Sequence, residues 1–101
     1  MDTRQNLSFK ITFRNFKSSQ SLLEYVEKRL APIFKRFYDR DLTIHVTFSK
    51  RTLCFGEVNV HFPNFTLVAS TEDKDFYQLV DKLKDIVREQ LRRHKEKLLG
   101  R

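Results

Sequence analysis

The chain is 101 residues long and carries 20 Lys and Arg against 13 Asp and Glu, a formal net charge of +7. This length suits one domain, and 40% hydrophobic residues with 10 Phe favour a folded core over disorder. The single cysteine, Cys54, excludes an internal disulfide. The sequence shows neither a signal peptide nor the roughly 20-residue apolar run of a membrane span. We therefore expect a cytoplasmic protein. The positive charge favours a polyanionic partner such as nucleic acid.

The first predicted element is a strand in which apolar and polar residues alternate, with Leu7, Phe9, Ile11 and Phe13 on its buried face. A helix is predicted next over 19–38, because apolar residues recur there at helical spacing and Ser18 and Ser19 offer an N-cap. Pro32 lies inside this helix. Because the apolar stripe continues in phase past the proline, we expect a kink rather than two helices.

Three further strands follow, each with one apolar face. Alternation predicts the second strand over 42–48, and a turn is predicted over 50–53. The third strand has Val58, Val60 and Phe62 on its apolar face. A two-residue turn at Pro63 and Asn64 predicts the register of the fourth strand, pairing 62 with 65, 60 with 67 and 58 with 69.

An acidic connector over 71–75 leads into a second helix, predicted over 73–97 from its apolar periodicity. The resulting order is β-α-β-β-β-α. The first helix is long enough for a right-handed crossover between parallel strands, and the last three strands form antiparallel hairpins. We therefore predict a single α+β domain spanning residues 1–101, with a four-stranded mixed sheet and both helices packed on one face.

Basic residues are concentrated on the predicted helices. At 100° per residue, one flank of the second helix carries a basic stripe of Lys84, Arg88, Arg92 and Lys95. Its other flank carries Lys82, Arg93 and Lys97. The solvent ridge between these flanks is predicted to hold Asp81, Asp85, Glu89 and Glu96.

On the first helix, Lys28 stacks with Lys35 and Arg29 stacks with Arg36, each pair seven residues apart. Two packed helices with such stripes predict a basic surface about as wide as a nucleic-acid backbone. The alternative is an ordinary solvated surface, because long basic side chains commonly flank the apolar face of a helix.

The open face of the sheet is predicted to be polar, with Lys10, Thr12, Arg14, Thr43, His45, Thr47, Asn59 and His61. Most aromatic residues fall on apolar faces, whereas Tyr25, Tyr38, Phe55 and Tyr77 fall outside them or at their edges. Base stacking on the sheet needs aromatic residues on its open face, so we favour recognition of RNA shape and phosphates instead.

Neither catalysis nor metal binding is predicted. His45 and His61 are expected to lie near each other on the open face, but no third ligand accompanies them. Cys54 is expected to be a half-buried thiol without a positioned base, and no Gly-rich phosphate loop is present. We therefore expect a binding protein without a cofactor or metal, and not an enzyme.

Several motifs resemble one family over nearly the whole chain, from about Leu7 to Lys97. The family is that of the ribosome hibernation promoting factors and the ribosome-associated inhibitor A, also called sigma-factor modulation proteins. The motifs that carry the resemblance are Leu67-Val68-Ala69-Ser70, Asp75-Phe76-Tyr77, Val80-Asp81-Lys82-Leu83 and Gln90-Leu91-Arg92-Arg93-His94-Lys95. Val26-Glu27-Lys28-Arg29-Leu30 and Ile44-His45-Val46 are similar to the family's first helix and second strand.

The resemblance implies a factor that binds the small ribosomal subunit at the decoding centre and silences translation in stationary phase or stress. It implies that the basic helices contact ribosomal RNA and block mRNA and tRNA. The predicted contacts are Lys28, Arg29, Lys35, Arg36, Lys82, Lys84, Arg88, Arg92, Arg93 and Lys95. The chain is most similar to the short form of the family, without a C-terminal dimerisation domain. That form promotes ribosome dimers with a separate dimerising factor, and we expect this protein to be a monomer off the ribosome.

Two other classes remain open from the sequence alone. One is a general double-stranded-RNA-binding module, because α/β domains of related layout recognise A-form shape. The other is a protein-interaction domain that uses its open sheet face, for example through Phe55 and Val68. Salt separates the second class from the RNA-binding ones, because phosphate contacts weaken steeply as the salt concentration rises.

Overall fold

A computed structural model describes residues 5–98 of the chain, which form one four-stranded sheet and three helices. The strands are β1 (Leu7–Arg14), β2 (Leu42–Lys50), β3 (Cys54–Phe62) and β4 (Phe65–Asp73). The helices are α1 (Gln20–Phe37), α2 (Phe76–Arg93) and the short α3 (Lys95–Leu98). The predicted fold class and the predicted order of the main elements are confirmed.

The strands lie in the order β1-β2-β3-β4, with β1 and β2 parallel and the other two pairs antiparallel. The predicted register of the last hairpin is confirmed, since Phe62 pairs with Phe65 and Val60 pairs with Leu67. This topology makes β4 parallel to β1. Because α1 and α2 each return along the sheet from one of these two strands, the two helices run side by side in the same direction.

The core lies between the two long helices and one face of the sheet. Fully buried residues include Leu30 and Phe34 of α1 and Leu83 of α2, all at 0% exposure. Gly56 of β3 lies directly beneath α2, where a Cβ atom would lie 3.0 Å from Leu79 Cδ2. The apolar residues of β1 are only half-buried, as expected for an edge strand. The opposite face of the sheet is left open.

The ends of both long helices are set by capping side chains. Ser19 caps α1 by accepting a hydrogen bond from the Leu22 amide at 3.2 Å, as predicted. Helix α1 continues through Pro32 as one element. The second helix begins later than predicted, because β4 pairs with β3 as far as Asp73 and Asp75 then caps α2 through the Gln78 amide. It also ends earlier, with His94 as the C-cap that separates α2 from α3.

Two predictions of exposure were wrong. Tyr38 is buried rather than at a stripe edge, because its ring packs edge-to-face on Phe62 with centroids 5.0 Å apart. Cys54 is buried rather than half-buried. Its thiol donates to the Lys74 carbonyl at 3.4 Å and accepts from Lys50 Nζ at 3.6 Å. Both residues therefore belong to the core.

Candidate nucleic-acid interface

The two long helices are joined at their outer surface by polar contacts to Asp81 of α2. Tyr25 of α1 donates its hydroxyl to Asp81 Oδ1 at 2.9 Å, and Arg29 Nε donates to the same oxygen at 3.1 Å. The hydrogen bond to Asp81 is the main reason that the pKa of Tyr25 is raised. Asp81 was predicted on the solvent ridge, but it faces α1 because that helix packs against this flank of α2.

These contacts identify the flank of α2 that faces α1. Tyr77 marks it as well, because its ring meets the Tyr25 ring edge-on with centroids 5.1 Å apart. At 100° per residue, Lys84, Arg88 and Arg92 lie within roughly 60° of Tyr77 around α2. The predicted stripe on this flank therefore borders α1. Lys95 lies beyond the break at His94, so the phase of α2 does not place it on the stripe.

The same reasoning orients α1. Arg29 and Arg36 share the side of Tyr25, which faces α2, whereas Lys28 and Lys35 point further out into solvent. Arg29 also lies over the Tyr25 ring, with its guanidinium carbon 5.8 Å from the ring centroid. Arg36 is similarly close to the Phe37 ring, at 6.0 Å. The predicted stacking of basic residues on α1 is thus compatible with one surface shared by both helices.

Lys82 lies apart from that surface, and Arg93 borders it, because Arg93 Nε lies 3.3 Å from Oε2 of Glu89, the carboxylate that Arg92 also contacts. Lys82 Nζ contacts Asp73 Oδ2 at 2.9 Å and the Glu72 carbonyl at 3.1 Å, so it reaches towards the edge strand β4. The hydrogen bond from Lys82 lowers the pKa of Asp73. Gln90, on the same flank, donates to the Val68 carbonyl of β4 at 2.8 Å. The ten candidate residues therefore do not form one surface.

Most of the basic side chains on the α1-facing flank are paired with carboxylates of α2. Arg88 Nη2 lies 3.1 Å from Asp85 Oδ1, and Lys84 Nζ lies 3.7 Å from the same oxygen. Arg92 Nη2 contacts Glu89 Oε1 at 2.6 Å, and this hydrogen bond lowers the pKa of Glu89. Such pairs contribute little to stability when exposed. They leave 53% of the Arg88 side chain and 68% of the Arg92 side chain open to solvent.

We name the basic surface formed by both helices the outer helix surface. Its basic members are Lys28, Arg29, Lys35, Arg36, Lys84, Arg88 and Arg92. Within residues 5–98, no ion pair includes Lys28, Lys35 or Arg36. Against these seven cations stand the carboxylates Asp81, Asp85 and Glu89 of α2 and Glu24 of α1, one turn before Lys28, which leaves the surface with a net charge of +3. A surface of this sign and extent can bind phosphates.

The open face of the sheet carries the predicted polar residues, but one prediction about it was wrong. Phe55 lies on this face, between Ser49 of β2 and Glu72 of β4 in the strand register, and is 37% exposed. Phe55 is absent from the predicted open-face residues because the third strand was predicted from 57 onwards, although the protein-interaction alternative did place it on this face. Within residues 5–98, no three His, Cys, Asp or Glu side chains are grouped as metal ligands. His61 instead hydrogen-bonds to Thr66 at 3.1 Å.

None of the helices that the structure describes is both long and apolar enough to cross a membrane. The fold and the charged helix pair define a small, basic α+β domain with basic side chains clustered on its helical side. Comparison with known proteins gives the family: the chain belongs to the family described as sigma 54 modulation protein / S30EA ribosomal protein, whose model matches residues 9–99.

Known relatives support this assignment at the level of sequence and structure. The chain is 31% identical over 84 residues to a ribosome hibernation promoting factor of Azotobacter vinelandii, covering 82% of this chain and 78% of that protein. A ribosomal subunit interface protein from Coxiella burnetii aligns with a TM-score of 0.78 and 27% identity, over 88% of this chain and 98% of the other. The Protein Y N-terminal domain of Thermus thermophilus aligns with a TM-score of 0.76 and 28% identity, over 87% and 97%.

Proposed function

We propose that this protein is a ribosome hibernation factor. It binds the small ribosomal subunit at the decoding centre and the mRNA channel, and it silences translation in stationary phase or stress. Membership of the family over residues 9–99 is the observation that carries this proposal. The names of its relatives, a ribosome hibernation promoting factor and a ribosomal subunit interface protein, support the same role.

The charge distribution supports ribosomal RNA as the partner. The outer helix surface has a net charge of +3, and three of its cations make no ion pair within residues 5–98. The other four contact carboxylates on α2, and Arg88 and Arg92 remain more than half exposed. Lys82 and Arg93, on the other flank of α2, and Lys95 of α3 stay in the proposed contact set, where they would meet a second stretch of RNA backbone.

The mechanism is occlusion, in which the domain occupies space that message and tRNA need. The buried core between sheet and helices makes the domain a rigid body, so binding needs no folding step. Phosphate contacts along two parallel helices fix its orientation on the RNA. On this account the protein acts as a cytoplasmic monomer without a cofactor and without catalysis, and any pairing of ribosomes depends on a separate factor.

Co-sedimentation with purified bacterial small subunits tests this proposal. Vacant subunits are compared with subunits preloaded with mRNA and tRNA, at 50 and 200 mM salt. We expect binding near one copy per vacant subunit and exclusion from loaded subunits. If about six phosphates are contacted, affinity should fall by roughly three decades between the two salt concentrations.

Three outcomes would contradict the proposal in different ways. Equal binding to vacant and loaded subunits would place the protein outside the decoding centre. Equal binding to a free RNA duplex would favour a general double-stranded-RNA-binding module. Protein that stays at the top of the gradient at 50 mM salt would mean that the ribosome is not its partner.

A further inference from the structure

A concave surface lies at one end of the open sheet face, on the side opposite the helices. Its floor is a row of residues that crosses all four strands: Arg14 pairs with Ser49, Ser49 with Phe55, and Phe55 with Glu72. Arg51, from the turn between β2 and β3, contributes to its rim. We name this surface the sheet-end depression. The outer helix surface shares none of its residues.

The two ends of the depression carry opposite charges. Arg14 is on the edge strand β1 and Glu72 is on the edge strand β4, three strand spacings or about 14 Å apart. This separation explains why the two side chains form no ion pair. Within residues 5–98, Arg51 and Glu57, which also line the depression, are likewise without one. Arg14 at the β1 edge and Glu72 at the β4 edge therefore stay available to a ligand, as do Arg51 in the turn between β2 and β3 and Glu57 on β3.

An aromatic ring lies between these charged ends. Phe55 is 37% exposed on the open face, although most Phe side chains of this domain pack against the core. Thr47, Ser49 and Thr52, which carry hydroxyl groups, also line the depression. A ligand that fits this order has an anionic group at one end, a flat ring in the middle and a hydrogen-bond donor at the other end. A nucleotide has these three parts in this order.

We propose that the sheet-end depression binds one unstacked nucleotide, either free or within single-stranded RNA. The phosphate lies between Arg14 and Arg51, which suit it because guanidinium groups pair with phosphate through two parallel hydrogen bonds. The base stacks on Phe55. An amino group of the base donates to Glu57 or Glu72, as cytosine N4 donates to carboxylates elsewhere. Uracil has no such amino group, so cytidine nucleotides bind more tightly than uridine nucleotides.

The backbone supports this position for Arg14. Asn15 follows it directly with φ at 69°, in the left-handed region that asparagine tolerates better than most residues. The chain therefore turns away at once after β1, and Arg14 is held at the rim by its pairing with Ser49.

The test is an amide NMR titration of the full chain with cytidine monophosphate, uridine monophosphate, tetracytidylate and inorganic phosphate. We expect shifts at Arg14, Ser49, Phe55 and Glu72, with cytidine monophosphate tighter than uridine monophosphate. Phe55→Leu should weaken cytidine monophosphate binding at least fivefold, because stacking on an aromatic side chain contributes about 1–3 kcal/mol. The spectrum of each variant also reports whether it is folded.

Tyr77→Leu is the matched control, because Tyr77 is 39% exposed but lies on the outer helix surface. It should leave the titration unchanged. Tetracytidylate that binds tenfold more tightly than the monophosphate at the same residues identifies RNA as the source, and equal affinities identify a free nucleotide. Inorganic phosphate that matches cytidine monophosphate, or shifts confined to the helices, would overturn the proposal. The titration contains no ribosomes, so its failure is distinct from failure of the proposed function.

Discussion

At the scale of single residues, Asp81 is the group that connects the outer surfaces of α1 and α2. It accepts hydrogen bonds from both Tyr25 and Arg29. Its bond to Tyr25 raises the pKa of that hydroxyl, so the contact stabilises the fold at neutral pH. Because the pKa is raised in the folded state, this stabilisation is fully present below the unfolded pKa of Tyr25. It is lost as the pH rises through the folded value.

Asp81→Asn should therefore lower the pKa of Tyr25 towards the usual value for tyrosine, near about 10. The neutral amide still accepts a hydrogen bond but no longer repels the tyrosinate charge. Carbon NMR of the Tyr25 ring during an alkaline titration measures this shift, with Tyr77 as an internal comparison. An unchanged pKa at Tyr25 in the variant would show that burial, rather than Asp81, is its cause.

Gly56 shows how closely the sheet approaches α2. A Cβ atom there would lie 3.0 Å from Leu79 Cδ2, 3.1 Å from Leu83 Cδ1 and 3.3 Å from Phe48 Cδ1. Gly56→Ala should lower the free energy of unfolding by about 1–3 kcal/mol, as overpacking of a core does. Urea unfolding measures this loss. Ser70→Ala on the open face is the control and should change stability by less than about 0.5 kcal/mol; a similar loss in both variants would contradict the packing explanation.

At the scale of elements, α1 lacks one of its backbone hydrogen bonds. Pro32 has no amide proton, so the Lys28 carbonyl one turn earlier lacks its helical hydrogen bond. Pro32→Ala should restore that bond and raise the free energy of unfolding, by up to about 3 kcal/mol on the helix-propensity scale. Urea unfolding again provides the measurement.

Pro63→Ala is the matched control for this change. Pro63 lies in the turn between β3 and β4, where the ring restricts the unfolded chain, so its loss should lower stability by about 0.4–1 kcal/mol. Opposite signs for the two variants are the expected result. A Pro32→Ala variant no more stable than the original chain would mean that the helix already compensates for the missing bond.

The elements themselves could be predicted largely from sequence. Strict alternation fixed the apolar faces of the strands, and the two-residue turn fixed the pairing of Phe62 with Phe65. The start of α2 could not be predicted as well, because Glu72 and Asp73 are poor strand residues. They belong to β4 only because β3 offers them backbone partners as far as Cys54. Such pairing is long-range information that a local pattern does not contain.

The candidate site was less predictable than the fold for a similar reason. Helical phase separates the two flanks of α2, but it does not say which flank α1 covers. That choice placed Asp81 in contact with α1 and Lys82 against Asp73 of the edge strand. The protein-interaction alternative named Phe55, but the predicted third strand left it out because the pairing of β3 extends past Gly56 to Cys54. In each case the sequence gives the identity of the residue but not the residue that it contacts on another helix or strand.

At the scale of the whole molecule, the proposed function depends on where the cations lie and not only on the total net charge. The net charge of +7 alone would attract any polyanion. Two triple variants separate these possibilities, because each lowers the net charge from +7 to +4. One changes Lys28, Lys35 and Arg36 of the outer helix surface to Gln. The other changes Lys10, Arg40 and Lys74, which are exposed elsewhere, to Gln.

The variant of the outer helix surface should bind vacant small subunits more weakly. Its slope of log affinity against log salt concentration should also be smaller by about two to three units, because each phosphate contact contributes about 0.7–0.9 to that slope. The control variant should lose less than about one unit, since its cations make no proposed RNA contact. Sedimentation at several salt concentrations gives both slopes. Equal losses would mean that binding follows the total charge of the protein, and the outer helix surface would then have no special role. A loss confined to the helix variant would localise the RNA contact to the helical side of the domain, where a rigid body can block the passage of message and tRNA.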